Sequence, residues 1–170
     1  MNGSIEMKSL NDEVAMLRNV QFFSSLETGK LKLLAYASQK MGFEDGDIVF
    51  RRGATEGDAY FILEGEADVL ADTANGPVVV AQLPRYALFG EISAFCDVPR
   101  TATIRARGHM VALRIPKQYL LEMIQQSPSV ALQIIRVLAQ RVANTTVDLA
   151  AALSANARTS AHNGAPNAPG

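Results

Sequence analysis

The sequence predicts an α+β fold: antiparallel β-structure, in the form of a sandwich, barrel or jelly roll, set between N-terminal helices and a long C-terminal helix. Three observations predict it. Leu31, Leu34, Ala35 and Ser38 repeat at i, i+3, i+4 and i+7, the stripe of an amphipathic helix. From 41 to 115 the chain breaks into short apolar segments separated by closely spaced glycines, among them Gly42, Gly46, Gly53, Gly57 and Gly65, as in proteins built from many short strands. From 131 to 152 apolar or small residues alternate spacings of four and three, a heptad seam.

In chain order, residues 1–10 are polar and are expected to be flexible. Residues 11–40 read as helical. Asn11 is a suitable N-cap for a short first helix through Val14 and Leu17. The Phe22-Phe23 pair between the two helices is expected to be core that docks them. Candidate strands are 47–51, 59–63, 66–71, 78–83, 101–107 and 110–115, and Asn75-Gly76 marks a hairpin between the third and fourth of these. Pro116 opens a helix over 117–126. Ser127-Pro128 supplies an N-cap and a first-turn proline for the long helix, expected to end near Leu153. The seam is Ala131, Ile135, Leu138, Val142, Thr145, Leu149 and Ala152, and it predicts a homodimer through 131–152. Residues 154–170, rich in Ala, Asn, Ser, Gly and Pro, are expected to be a disordered tail.

Composition narrows the function. The 170 residues are about one domain's worth, and 48% are hydrophobic, enough for a packed core. Sixteen basic residues against 17 acidic ones give a net charge of −1, a poor match to a nucleic-acid-gripping surface, so Arg51, Arg52, Arg105 and Arg107 read as solvated strand edges. No apolar run approaches the roughly 18 residues of a membrane span, and the N-terminus lacks a signal-peptide core, so a cytoplasmic protein with no membrane partner is expected. A single cysteine, Cys96, and two histidines, His109 and His162, leave no cluster for a metal and argue against a metalloenzyme on a similar β fold. Cys96 has no histidine beside it in sequence and reads as filler, not nucleophile.

Chemistry concentrates between Leu88 and Thr103. Phe89 ends a strand, Gly90 lets the backbone turn, and Glu91–Phe95 can form one helical turn with free N–H groups at its start. Pro99 stiffens the chain before Arg100 and Thr101 enter the next strand. One arginine, one carboxylate, exposed amides and a hydroxyl thus fall within a few residues. That set suits an anion joined to a hydroxyl-bearing ring, with Arg100 forking onto phosphate oxygens and Glu91 accepting from a sugar hydroxyl.

Phe89-Gly90-Glu91, followed after eight residues by Arg100-Thr101-Ala102-Thr103, resembles the phosphate-binding cassette of cyclic nucleotide-binding domains, and the Gly57–Gly65 run resembles that family's other glycine-bounded strand motif. The resemblance covers about residues 11–153 and implies a jelly roll. It implies that Gly90 admits the ligand to the backbone, Glu91 holds the ribose 2′-hydroxyl, Ser93 offers its amide, Arg100 pairs with the cyclic phosphate and Thr101 adds phosphate or base contacts. Phe89, Ile92 and Ala102 complete the lining. Tyr86-Ala87 stands where the family often has a glycine–acid pair. Asn144-Thr145-Thr146 resembles the hydroxyl pair with which the catabolite activator protein touches adenine, so Thr145 and Thr146 are candidate base contacts and cyclic AMP is favoured over cyclic GMP. The implied protein is a non-catalytic sensor that moves its C-terminal helices toward an unidentified effector protein. Two alternatives stand: the same module selective for cyclic GMP, since Thr101 resembles the threonine that favours cyclic GMP in some of the family's kinases, and a DNA-binding regulator of the catabolite-activator type, disfavoured by the net charge and by the 17 residues after Leu153, which carry no apolar stripe for a further helix pair.

Overall fold

A computed structural model describes residues 10–20 and 22–162. The expected flexible N-terminus, apart from Leu10, and the end of the expected tail lie outside the described residues. The order is α1 (Leu10–Asn19), α2 (Thr28–Ala37), β1 (Gln39–Phe43), β2 (Ile48–Phe50), β3 (Ala59–Thr73), β4 (Gly76–Leu83), β5 (Leu88–Phe89), α3 (Glu91–Cys96), β6 (Thr103–Ile115), α4 (Lys117–Gln126) and α5 (Pro128–His162). The chain forms two compact units, one ending at Val130 and one starting at Ala131.

In the first unit every strand pairing is antiparallel. The sheet runs β1-β6-β3-β4, with β2 on β6 and β5 on β3. This is the predicted α+β roll flanked by helices. Residues 59–63 explain why its centre reads as an unbroken apolar run: Ala59, Tyr60, Phe61, Ile62 and Leu63 are all buried. On one face Tyr60 and Ile62 join Phe43, Phe50, Phe89 and Met110 in the roll's interior. On the other, Phe61 meets Phe23 and Phe22, with ring centroids 4.7 and 5.6 Å away, so the aromatic pair between α1 and α2 is the core contact expected of it. A strand covered on both faces has no reason to alternate.

Three boundaries differ from the sequence reading. Gln39 and Lys40 open strand β1 and do not end a helix: β1 pairs with β6 from Gln39↔Arg114 to Phe43↔Met110, and this pairing overrides the helical preference of Gln and Lys. The paired candidates 59–63 with 66–71, and 101–107 with 110–115, are two long strands, β3 and β6. Gly65 (φ +78°) and Gly108 (φ +67°) sit at register shifts within them and bend the strands without ending them. Finally, α5 runs past Leu153 to His162, so the tail does not begin at Ser154. No proline or glycine interrupts this stretch before Gly164.

The helix starts at Lys117 and Pro128 stand where proline and serine signals place them. Lys30 donates to Gln126 O (2.8 Å) and Ser127 Oγ (3.0 Å), and Tyr119 OH donates to Lys30 O (3.1 Å), binding α4 to α2. Arg52, Arg105 and Arg107 lie against Asp72, Asp68 and Glu66, which suits strand-edge charges better than a nucleic-acid stripe. Among the described residues no helix is long and apolar enough to cross a membrane, and no cluster of three His, Cys, Asp or Glu could hold a metal.

In the second unit the helix presents Leu132, Ile135, Val142, Val147, Leu149 and Leu153 exposed. Ile135, Val142 and Leu149 recur every seventh residue.

Candidate functional site

β5 brings the cassette to the roll. Phe89 pairs with Tyr60 across the strands, and the two rings stack with centroids 5.3 Å apart. Gly90 then turns the chain with φ +74° and caps the short helix α3. Two constraints make this residue a glycine. The left-handed backbone disfavours any side chain, and a Cβ here would lie 2.6 Å from Arg100 Nη1. At the other end of α3, Asp97 also adopts positive φ (+54°), and Lys117 Nζ donates to its carboxylate, tying the cassette to the start of α4.

Arg100 returns to the same point from the far side of the cassette. Its backbone is strapped to the loop after β2: Arg100 N donates to Ala54 O (2.8 Å) and Gly53 N donates to Arg100 O (2.8 Å). Its side chain points inward. Nη1 donates to Gly90 O (2.9 Å), Nη2 donates to Asp58 O (2.6 Å), and the guanidinium carbon stands 4.0 Å from the centroid of the Phe50 ring. Only 2% of Arg100 is exposed, and burial pulls its guanidinium below the usual arginine range. Nε is buried with no hydrogen-bond partner. A native interior rarely leaves a charged donor so.

Of the ten residues singled out from sequence, Phe89, Glu91, Ser93 and Arg100 are buried, Gly90 and Ala102 half-buried, and Ile92 and Thr101 exposed. Glu91 and Arg100 are both 2% exposed, so the carboxylate and the guanidinium are held within the fold and not spread over its surface as a solvated ion pair. Thr145 and Thr146 belong to the second unit, where their hydroxyls donate to Arg141 O (2.8 Å) and Val142 O (2.9 Å) one turn back.

Sequence reasoning missed three residues of the site. Phe50 lay in the candidate strand 47–51 with no assigned role. Tyr60 and Asp58 lay in the quoted glycine-bounded run but carried no assigned role. Asp58 is a junction: its backbone O accepts from Arg100, while its carboxylate accepts from Arg114 Nε (2.8 Å) and from Lys117 N at the start of α4 (3.0 Å). The pairing raises Arg114 above the usual arginine range, mainly through that hydrogen bond. Burial raises the Tyr60 hydroxyl. A surface hollow of about 500 Å³ opens beside this junction, lined by Asp58, Pro116, Lys117, Leu121 and Glu122.

A family model described as Cyclic nucleotide-binding domain matches residues 40–127, more than half of the chain. The chain belongs to the cyclic nucleotide-binding domain family. The matched span holds the whole roll from Lys40 onward, the cassette and α4. A cAMP-dependent protein kinase regulatory subunit from Blastocladiella emersonii is 34% identical over 105 residues, covering 61% of this chain but 26% of the relative, so the domain spans about a quarter of that protein's length. Among solved structures, the regulatory domain of Toxoplasma gondii PKA, crystallised with cAMP, shares the fold at a TM-score of 0.66 and 18% identity, covering 76% of this chain and 50% of that one. The Thermus thermophilus Catabolite Activator Protein shares it at 0.65 and 23% identity, covering 75% and 61%. The sequence relatives of this cyclic nucleotide-binding domain thus include a kinase regulatory subunit, and its fold is shared with the Catabolite Activator Protein.

Proposed function

We propose that this domain is a cyclic nucleotide sensor without catalytic activity, that it prefers cyclic AMP, and that it signals by moving its C-terminal helices toward an effector protein. One observation carries the reading: a buried arginine in the family's cassette keeps a donor, Nε, without a partner inside the chain. An exocyclic phosphate oxygen is the acceptor that would satisfy both this donor and the uncancelled charge. Gly90 keeps the backbone open to the ligand, Glu91 accepts from the ribose 2′-hydroxyl, and Ser93 offers its amide. Phe89 and Ala102 line the site from within the fold, and Ile92 and Thr101 from its exposed side. Thr145 and Thr146 would release their backbone carbonyls to reach the base. The preference for cyclic AMP rests on that threonine pair.

Calorimetric titration with cyclic AMP, cyclic GMP and 2′-deoxy cyclic AMP tests the ligand. Cyclic AMP is expected to bind tightest. Loss of the 2′-hydroxyl should weaken binding by about tenfold or more, the worth of one hydrogen bond to a charged acceptor, and Glu91→Gln should narrow that difference. Equal affinity of the wild type for the two sugars would remove Glu91 from the site. Tighter binding of cyclic GMP would transfer base selection to Thr101.

The exposed Ile135, Val142 and Leu149 sit at the first position of successive heptads, with Leu138, Thr145 and Ala152 at the fourth, and we assign this seam to a homodimer. Sedimentation should show a concentration-dependent dimer. Val142→Asp should yield a monomer of undiminished helicity, while Gln140→Asp, on the outer face of the same helix, should leave the dimer intact. A wild type monomeric at all concentrations, with and without ligand, would overturn the assignment.

A further inference from the structure

We infer that Phe50 is a positioning residue for ligand capture: its ring face holds the Arg100 guanidinium in place without occupying the N–H groups that the phosphate needs. The inference rests on the cyclic nucleotide reading above. Arg100 Cζ lies 4.0 Å from the Phe50 centroid, well inside the range of a cation–π contact, whereas the Tyr60 ring stands at 5.9 Å. All guanidinium donors lie in the plane of the group, so a ring against its flat face competes with none of them.

The in-plane bonds the structure does contain, to Gly90 O and Asp58 O, go to neutral backbone carbonyls that leave the positive charge uncancelled. An arginine this deeply buried needs compensation for its lost hydration. A ring quadrupole supplies part of it and still leaves the charge available to an anion. Phe50 is itself fixed by its neighbours, with ring centroids 5.7 Å from Tyr60 and 5.9 Å from Phe89, so the platform does not have to be ordered when the ligand arrives. Without it the guanidinium would spend part of its time in other rotamers, and the apparent affinity would fall with the competent fraction.

The test uses the full chain. Phe50→Leu keeps an apolar residue in the roll and is expected to weaken cyclic AMP binding by about tenfold with the circular dichroism spectrum retained. Mono-, di- and trifluorinated phenylalanine at position 50 keep the ring's shape while draining its quadrupole, and affinity should fall stepwise with each fluorine. A merely structural Phe50 would give no such gradient. Should the leucine variant fail to fold, the fluorinated series decides. Independently of any ligand, the Arg100 Nε–H proton resonance should be shifted upfield by the ring current in the wild type and should lose that shift in Phe50→Leu. If the wild type binds no cyclic nucleotide, the functional reading fails, and this resonance alone judges the contact. Affinities within twofold of wild type across the fluorinated series, or an Arg100 resonance without the upfield shift, would overturn the inference.

Discussion

Arg100→Ala will weaken cyclic nucleotide binding by about two to three decades. The guanidinium is the buried cation of the cassette, and removing one partner of a buried charged pair costs roughly 3–5 kcal/mol, against about 1.4 kcal/mol for each decade of affinity. Arg100→Lys separates charge from geometry. It keeps a cation but replaces the planar fork with a point charge on a flexible stem, which cannot reach Gly90 O, Asp58 O and a phosphate oxygen together as the fork does. Its affinity should fall between those of wild type and Arg100→Ala. Both variants give up hydrogen bonds to backbone carbonyls, so thermal melting must accompany the calorimetry to show that the roll is intact at the titration temperature. An alanine variant that is folded and binds within threefold of wild type would dismiss Arg100 as the phosphate anchor.

The largest expected loss of stability comes from a different glycine. Gly65→Ala will destabilise the domain by about 2–5 kcal/mol, adding the roughly 1–2 kcal/mol of a left-handed non-glycine residue to an overpacking cost of roughly 1–3 kcal/mol. Gly65 has φ +78°, and a Cβ there would stand 2.4 Å from His109 O and 2.9 Å from Met110 Cα. Both neighbours are backbone on β6, so neither can swing aside as a side-chain end would. Gly46→Ala is the matched comparison. Gly46 shares the positive φ (+87°), but nothing lies within 4 Å of the added carbon, and only the conformational cost of about 1–2 kcal/mol should appear. Urea denaturation of the two variants reads the difference directly. Equal midpoints would mean that β3 and β6 move apart at the bulge without cost. Because β3 also carries Tyr60, which packs under the cassette, a shift at Gly65 should be felt as weaker ligand binding as well.

Local signals were legible from residues alone wherever the physics is local. Ser127-Pro128 and Pro116 start helices because a cap and a pre-set φ act on their own few residues. The spacing from Gly90 to Arg100 was readable because a turn, a short helix and a proline lie within one continuous stretch. The glycine-bounded segments announced strands, but not that Gly65 and Gly108 lie inside strands and not between them: a glycine that bends a ladder and one that ends it look identical until the partner strand is in register. Strand β1 was hidden for the same reason, since Gln39 and Lys40 become strand only through their pairing with Arg114 and Leu113.

The cassette divides in the same way. Which residues bear the charge and the hydroxyl chemistry follows from the chain order of Gly90, Glu91, Ser93, Arg100 and Thr101. What holds Arg100 does not, because Phe50 and Asp58 come from segments 50 and 42 residues earlier, and their contribution is a ring face and a main-chain oxygen. A ring face is invisible in a residue that any core strand could use, and a main-chain oxygen is common to every residue. Both become specific only when the antiparallel roll folds β2 and the start of β3 against the end of the cassette and leaves one arginine donor enclosed and unanswered.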